Sequence, residues 1–283
     1  MIILNSEQGV GMRLNTVRAK HTCVPVALPF GQTTVDPETV VNESDVSTAS
    51  KILAESGIEN ADDRVREFLL EVPQLLTWLN KNGREYPWRF TTDPWHVYIS
   101  EILLQRTRGD AVEQIYSDFF DRFPDPETLH RATDDEIHST VASLGFGNHR
   151  TRTLGEVAEL CVCEHGGEVP TDLAELQRPW RVGTYSAQAC LLFAYGEPQG
   201  LVDVNTARII SRVFGYEIPS QPHKSTTVQE LLNALVPETP GIARAFTFAL
   251  LDLGALICTE SEPVCESCPL VRECLYATES GRV

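Results

Sequence analysis

Four cysteines within seventeen residues constrain this chain more than anything else in it. Cys258, Cys265, Cys268 and Cys274 are spaced C-x6-C-x2-C-x5-C. Sulfurs this close in sequence can converge on one small object. A metal or cluster needs that convergence, because its ligands are soft, deprotonated and fixed in space. Zinc sites favour two short C-x2–4-C knuckles. Only the middle pair has that form here, and the longer outer gaps make a wider loop, which suits a cubane with irons at different corners. The expected occupant is therefore a [4Fe–4S] cluster, with zinc and unligated thiols or disulfides as alternatives.

The other cysteines are Cys23, Cys161, Cys163 and Cys190. Cys161 and Cys163 lie two apart on a predicted helix, face different sides and make poor disulfide partners. All four read as reduced, core-like thiols, consistent with a cytoplasm. No apolar run reaches membrane-spanning length, and the first residues lack a basic region followed by an apolar one. The expectation is a cytoplasmic protein with no membrane contact; no protein partner can be inferred. The net charge of −17 taken alone speaks against nucleic acid. At roughly 1 M salt, however, the Debye length is about 3 Å, and distant acids hardly feel a phosphate. Only Lys20, Lys51, Lys81 and Lys224 are lysines, against 40 Asp and Glu. That balance points to a halophilic source.

Periodicity makes the chain all-α. Residues 1–60 are polar and mixed, with Pro37, Ser44, Asp45 and Ser47 breaking any apolar period, so a loosely structured extension is expected there. Met12 is an alternative internal start. From Arg64, Val65, Phe68, Leu69, Leu75, Leu76 and Leu79 recur at helical spacing until Gly83, with Pro73 starting a new turn or kinking the run. Helices are predicted over 95–106, 111–123, 134–144, 149–164, 184–195, 205–214, 226–235 and 242–257. The run Thr133-Asp-Asp-Glu136 has capping-box form. No segment shows sustained period-two alternation.

Four stretches carry candidate chemistry. In Ser100-Glu101-Ile102-Leu103-Leu104-Gln105-Arg106-Thr107 one carboxylate interrupts an apolar face. The plain reading is a satisfied helix residue; a buried carboxyl, though, has a raised pKa and can donate a proton. In Gly145-Phe146-Gly147-Asn148-His149-Arg150-Thr151-Arg152 the glycines permit a tight turn, followed by cations with no acid between them. This is either a charged helix start or a contact to phosphates and to the gap left by an extruded base. Around Arg181-Val182-Gly183-Thr184-Tyr185 a hairpin would let backbone N–H groups at a helix start approach a phosphate. In Val202-Asp203-Val204-Asn205 the carboxylate precedes a helix, and capping is its plain reading.

Together with the cysteine spacing, these stretches resemble the endonuclease III superfamily of helix-hairpin-helix DNA glycosylases, over about residues 64–276. The Glu101 segment is similar to S-E-x-x-L-Q-Q-T of adenine glycosylases and to E-I-L-L-R-R-T of archaeal thymine–guanine mismatch glycosylases. The Gly145 turn resembles G-L-x-N-x-R of the thymine–guanine enzymes and endonuclease III; Asn148 stands where adenine enzymes have a tyrosine. The hairpin matches L-P-G-V-G-x-x-T-A at Val182, Gly183 and Ala187, but Trp180 and Arg181 replace its Pro-Gly pair. A left-handed backbone there would cost of order 1 kcal/mol without glycine, which a phosphate contact from Arg181 could offset. The Asp203 stretch resembles V-D-x-N-x-x-R-V-x-x-R.

What the resemblance implies is specific. The fold would be two helical domains: a six-helix DNA-binding unit over 93–199, and a discontinuous cluster domain of 61–92 and 200–283. Asp203 and Glu101 would be catalytic. Tyr185 would stand where bifunctional relatives carry a Schiff-base lysine, so the enzyme would not cleave strands by that route. Gln105 and Arg106 would fill the vacated stack, and Asn148, His149, Arg150, Arg181, Val182 and Gly183 would contact DNA. The four cysteines would hold [4Fe–4S]. The partner would be double-stranded DNA carrying a mismatched base, thymine or uracil opposite guanine, with adenine opposite 8-oxoguanine as runner-up. The chain ends nine residues past Cys274, too soon for the C-terminal domain with which adenine enzymes inspect 8-oxoguanine. The altered hairpin leaves a third possibility, a non-cleaving DNA-binding protein that senses mismatches or redox state.

Overall fold

The computed structural model describes residues 35–282, and among them there is no strand. The helices are α1 (Pro37–Glu43), α2 (Val46–Glu55), α3 (Ala61–Leu70), α4 (Val72–Asn82), α5 (Pro94–Leu103), α6 (Gly109–Arg122), α7 (Pro126–His130), α8 (Asp134–Val141), α9 (Gly147–Glu164), α10 (Leu173–Leu176), α11 (Thr184–Cys190), α12 (Val204–Phe214), α13 (Thr226–Leu235), α14 (Pro240–Leu256) and α15 (Leu275–Glu279). Thr133 and Glu136 close the expected capping box on α8. Pro73 sits in the first turn of α4, where its missing N–H costs nothing, and so starts a new helix.

The expectation of a loose segment through residue 60 is corrected for its described part. Residues 37–43 and 46–55 are helical, and Val40, Val41, Val46, Ala49, Ile52 and Leu53 are buried. Three of the residues read as breakers bound the helices instead, and the fourth, Ser47, lies in the first turn of α2. Pro37 opens α1, Ser44 ends it, and Asp45 accepts from the Thr48 amide at 3.0 Å to start α2. Helix α2 packs on α3 and α13. Met12, Lys20 and Cys23 lie outside the described residues. Among the others, Cys161 and Cys190 are buried thiols as expected, whereas Cys163 is exposed on α9.

The two ends of the described chain pack together. Phe68 of α3 meets Phe214 of α12 edge-on at 5.2 Å and Phe246 of α14 at 6.2 Å. Helix α14 lies against α4 and α12, and Gln74 of α4 donates to the Pro269 carbonyl in the cysteine loop. The helices between, α5 to α11, pack on one another: α7 and α8 on α9, and α11 on α5. This is the two-domain helical architecture, in which the first helices join the last and the middle stretch forms its own layer. Asp252 of α14, fully buried, ties the segment between α4 and α5 to the last long helix. It receives Arg89 through two bonds of 2.7 Å, and Arg84 through its amide and its guanidinium at 2.8 Å each.

Candidate active site

A cleft of about 530 Å³ opens between these two layers, and Glu101, Tyr185 and Asp203 all line it. Each arrives on a different element. Glu101 is carried by α5, whose residues 97–103 are all buried, so its carboxyl is drawn into the apolar interior with the rest of that turn. Among the described residues no hydrogen-bond donor reaches it. Burial raises its pKa to about 7, only partly countered by the Arg89 guanidinium. Arg89 and Arg84 also line the cleft, but Asp252 balances both.

Asp203 is the N-cap of α12. One oxygen accepts from the amides of Asn205 (2.9 Å) and Thr206 (2.7 Å), the other from the Asn205 side chain (2.9 Å). In return, the Asp203 amide donates to the Thr206 hydroxyl at 3.0 Å. The capping reading and the site reading are thus both true, and the cap holds the half-buried carboxylate in one orientation at the cleft wall. The network continues inward: Arg208 donates to the Asn205 Oδ1 at 2.8 Å, to the Gly254 carbonyl at 2.7 Å and to the Cys258 carbonyl at 2.7 Å. Gly254 makes this possible, since a Cβ there would stand 2.4 Å from the Asn205 Cβ.

Tyr185 is half-buried at the start of α11. Its phenol pKa is pushed well above 10 by burial first, then by the Glu101 and Asp203 carboxylates. The hydroxyl therefore stays a neutral donor. The remaining cleft wall includes Tyr86 stacked on Trp88, Phe248 and the Pro222–His223 turn, which sequence reasoning did not single out. The stack had a visible signal in Tyr86-Pro87-Trp88-Arg89; the turn had none.

Beside the cleft runs a groove of about 610 Å³ lined by Gln105, Arg106, His149, Arg150, Arg181, Gly183 and Tyr185, with Phe146 and His223. Gln105 donates to the Arg181 carbonyl (3.3 Å) and the Ser186 hydroxyl (3.1 Å), which fixes its amide across the groove. Arg106 and Arg181 have φ of +55° and +63°. The hairpin thus does place an arginine in the left-handed region that favours glycine. The Arg181 guanidinium rests over the Trp180 ring at 4.6 Å, and that of Arg152 at 4.5 Å. His149 is exposed, with its ring 5.1 Å from Trp180. Asn148 is exposed on the first turn of α9, but it does not line the groove.

Two of the expected DNA contacts are corrected. Arg150 is buried, and its guanidinium donates to the carbonyls of Gly145, Ile102, Leu103 and Gln105 and to the Thr107 hydroxyl. Its five N–H donors are consumed in closing the end of α5, so none is left for a phosphate. This also explains why α5 stops at Leu103 rather than running to Arg106: a side chain takes the carbonyls that another turn would use. Val182 is buried, and its amide donates to the Pro179 carbonyl at 3.1 Å; it shapes the hairpin from inside. Gly183, by contrast, is exposed, with nothing within 4 Å of where a Cβ would stand. The residue missed was Phe146, 56 % exposed with φ +54° at the turn before α9. A phenylalanine between two glycines was the available signal.

Cys258, Cys265, Cys268 and Cys274 line one small cavity whose other walls are Ile257, Pro263, Val271, Tyr276, Ala277 and Arg212. Arg212 donates to the Cys258 sulfur at 3.3 Å and to the carbonyls of Thr259 and Glu260, and its guanidinium lies over Tyr276. Backbone N–H groups face two more sulfurs, that of Leu270 at Cys268 and those of Tyr276 and Ala277 at Cys274. Among the described residues no group of three or more His, Cys, Asp or Glu side chains is gathered closely enough to hold a metal ion.

Comparison with known proteins agrees with this geometry. Residues 99–237 match a family model described as HhH-GPD superfamily base excision DNA repair protein. The thymine-DNA glycosylase of Aeropyrum pernix is 34% identical over 205 residues, covering 72% of this chain and 92% of that protein. The thymine/uracil-DNA glycosylase of Methanothermobacter thermautotrophicus is 35% identical over 207 residues, with the same coverage. The adenine DNA glycosylase of Mycobacterium tuberculosis is 33% identical, but the match spans 64% of it. Among solved structures, a thermostable thymine-DNA glycosylase superposes with a TM-score of 0.70 at 32% identity, over 76% of this chain and 98% of the other. An endonuclease III trapped on DNA shares the fold, with a TM-score of 0.62 at 19% identity. The chain belongs to the HhH-GPD superfamily of base excision DNA repair proteins, and it is a DNA glycosylase, a hydrolase of N-glycosyl bonds.

Proposed function

We propose that this protein removes thymine or uracil opposite guanine from double-stranded DNA, as a monofunctional glycosylase. The observation that carries this reading is the meeting of Glu101, Tyr185 and Asp203 in one cleft beside a cationic and aromatic groove. A duplex lying along the groove would extrude its mismatched nucleotide into the cleft. Asp203, fixed by its cap, then faces the sugar as the base leaves, where positive charge develops on an oxocarbenium-like carbon. The same carboxylate orients the attacking water. Glu101, near half-protonated at neutral pH, donates to the departing pyrimidine. Tyr185 donates beside the sugar; among the described residues that line the cleft there is no lysine to form an imine. The exposed Phe146, with Gln105 and Arg106, fills the space the base vacates. The similarity to thymine and uracil enzymes over nearly their whole length favours these substrates over adenine.

The cysteine cavity fits a [4Fe–4S] cluster. Its four sulfurs surround a common space with otherwise apolar walls, and amide N–H groups and Arg212 are aimed at the anionic sulfurs such a cluster presents. When bound, the cluster would tie the parts of the 258–274 loop to one another, beside Arg212 of α12. We assign 61–92 with 200–283 to the cluster domain and 93–199 to the DNA-binding unit, with α1 and α2 packed on the former. The acidic surface fits work at high salt, where screening lets DNA approach.

The test uses G·T, G·U and A·8-oxoG duplexes, each followed by alkali. Abasic product from G·T and G·U, and none from A·8-oxoG, is expected. Asp203→Asn keeps a side chain that caps a helix equally well, so folding and DNA affinity should persist while product disappears. Turnover retained in that variant would remove Asp203 from the mechanism. No product from any duplex would leave only a DNA-binding role.

A further inference from the structure

The glycosylase reading leaves one part of the cleft rim without a role. The turn Pro222–Lys224 lies between α12, which begins at Asp203, and α13. It is a built element. The Lys224 amide donates to Gln221 and the Ser225 amide to Pro222, both at 3.0 Å, and the Ser225 hydroxyl then caps α13 at the Val228 amide. His223 is the residue that borders both spaces: it lines the base cleft with Asp203 and Glu101, and the groove with Arg106 and Arg181. A strand that delivers a nucleotide from groove to cleft must pass it.

The chemistry of the turn matches such a strand. His223 and Lys224 are exposed, and among the described residues neither side chain has a hydrogen bond, ion pair or ring contact. Lys81, Arg131 and Arg272 are exposed without an ion pair too, but none of them lines the cleft or the groove, whereas this adjacent pair sits on the turn that borders both. Arg66, Arg108, Arg122, Arg152 and Arg178, also at the surface, are all paired with Asp or Glu. Arg106 and the left-handed Arg181 of the hairpin line the same groove as His223. The ligand such a pair suits is a phosphodiester, met by one cationic and one imidazole donor.

We propose that the Pro222–Lys224 turn is a clamp on the DNA backbone, in which His223 and Lys224 hold a phosphate next to the extruded nucleotide, in the groove that Arg106 and Arg181 also line. This rests on the DNA glycosylase reading above. Its role is in binding and positioning rather than in bond cleavage.

The experiment measures affinity against salt for a G·T duplex whose thymidine carries a 2′-fluoro substituent that blocks hydrolysis. Full-length wild type is compared with the His223→Gln/Lys224→Gln double variant and with Lys51→Gln. The last makes the same change of formal charge on α2, where Lys51 pairs with Glu55. Loss of the contact to that one phosphate should flatten the log–log salt dependence by about 1 and weaken binding roughly tenfold at low salt. Thermal melting should not change, because the turn is held by backbone bonds. Wild-type slope and affinity in the double variant, or an equal change in Lys51→Gln, would overturn the clamp while leaving the glycosylase intact. Absence of DNA binding by the wild type at every salt concentration would instead remove the reading on which the clamp stands, and the clamp with it.

Discussion

Replacing Glu101 by Gln should make this enzyme inactive and, above neutral pH, more stable. The carboxyl sits in the buried face of α5 with no donor among the described residues, and burial moves its midpoint from 4.5 to about 7. A displacement of that size corresponds to about 3 kcal/mol of charging penalty in the folded state. The sign follows from proton counts. Below pH 4.5 both states hold the proton and the penalty is absent. Between 4.5 and about 7 the folded state keeps a proton the unfolded chain has released, so stability falls as pH rises. Above about 7 the full penalty applies. The amide of Gln has the same shape and never ionises. Its own unsatisfied polarity adds an offset that does not vary with pH. Denaturant unfolding of both proteins at pH 5 and pH 8, in one fixed salt, isolates the variable part. The stability difference, variant minus wild type, should rise by about 2–3 kcal/mol between the two pH values. Single-turnover rates of the wild type should fall as pH rises through about 7, since the protonated form donates to the leaving base. Stability curves that run parallel across pH would show that position 101 is not the strained carboxyl the geometry describes.

Three further outcomes follow from neighbouring contacts. Asp252→Ala leaves Arg84 and Arg89 without their buried counter-charge and should cost about 3–5 kcal/mol, read by denaturant unfolding. Gly183→Ala meets no atom in the folded protein and its φ of −91° suits any residue; melting should be unchanged while DNA affinity falls, because the hairpin backbone can no longer approach a phosphate closely. Arg208→Ala removes the bonds that tie Asn205 to the Cys258 and Gly254 carbonyls. It should cost about 2 kcal/mol and lower the rate of base excision more than DNA affinity, since the Asp203 carboxylate loses its brace.

The sequence showed the chemistry more plainly than it showed which atoms are free to do it. Asp203 could be read as a cap or as a catalytic anion, and no count of residues could reveal that it is both. Only the packing of α12 on α14, with α5 and α11 on the other side of the cleft, brings its carboxylate to the wall that Glu101 shares. Arg150 shows the reverse. A cation after a glycine turn reads as a phosphate contact, yet the carbonyls left open at the end of α5 lie 45 to 48 residues back in the chain and take three of its donors, and Gly145 and Thr107 take the other two. Val182 was misplaced for the same reason: a motif names a segment, and burial then sorts its side chains into those that face the ligand and those that shape the hairpin. The segment before residue 60 was misread because Pro, Ser and Asp punctuate helices as often as they prevent them. Its apolar residues are too few to announce a core, but they bury well against α3 and α13. His223 had no signal at all. A histidine in a polar loop acquires meaning only when α12 and α13 fold that loop to the mouth of the cleft. Positions defined by local periodicity were therefore legible, and those defined by contacts across the chain were not. The catalytic proposal combines both kinds: a residue type that the motif supplies, and an environment that only the fold can create.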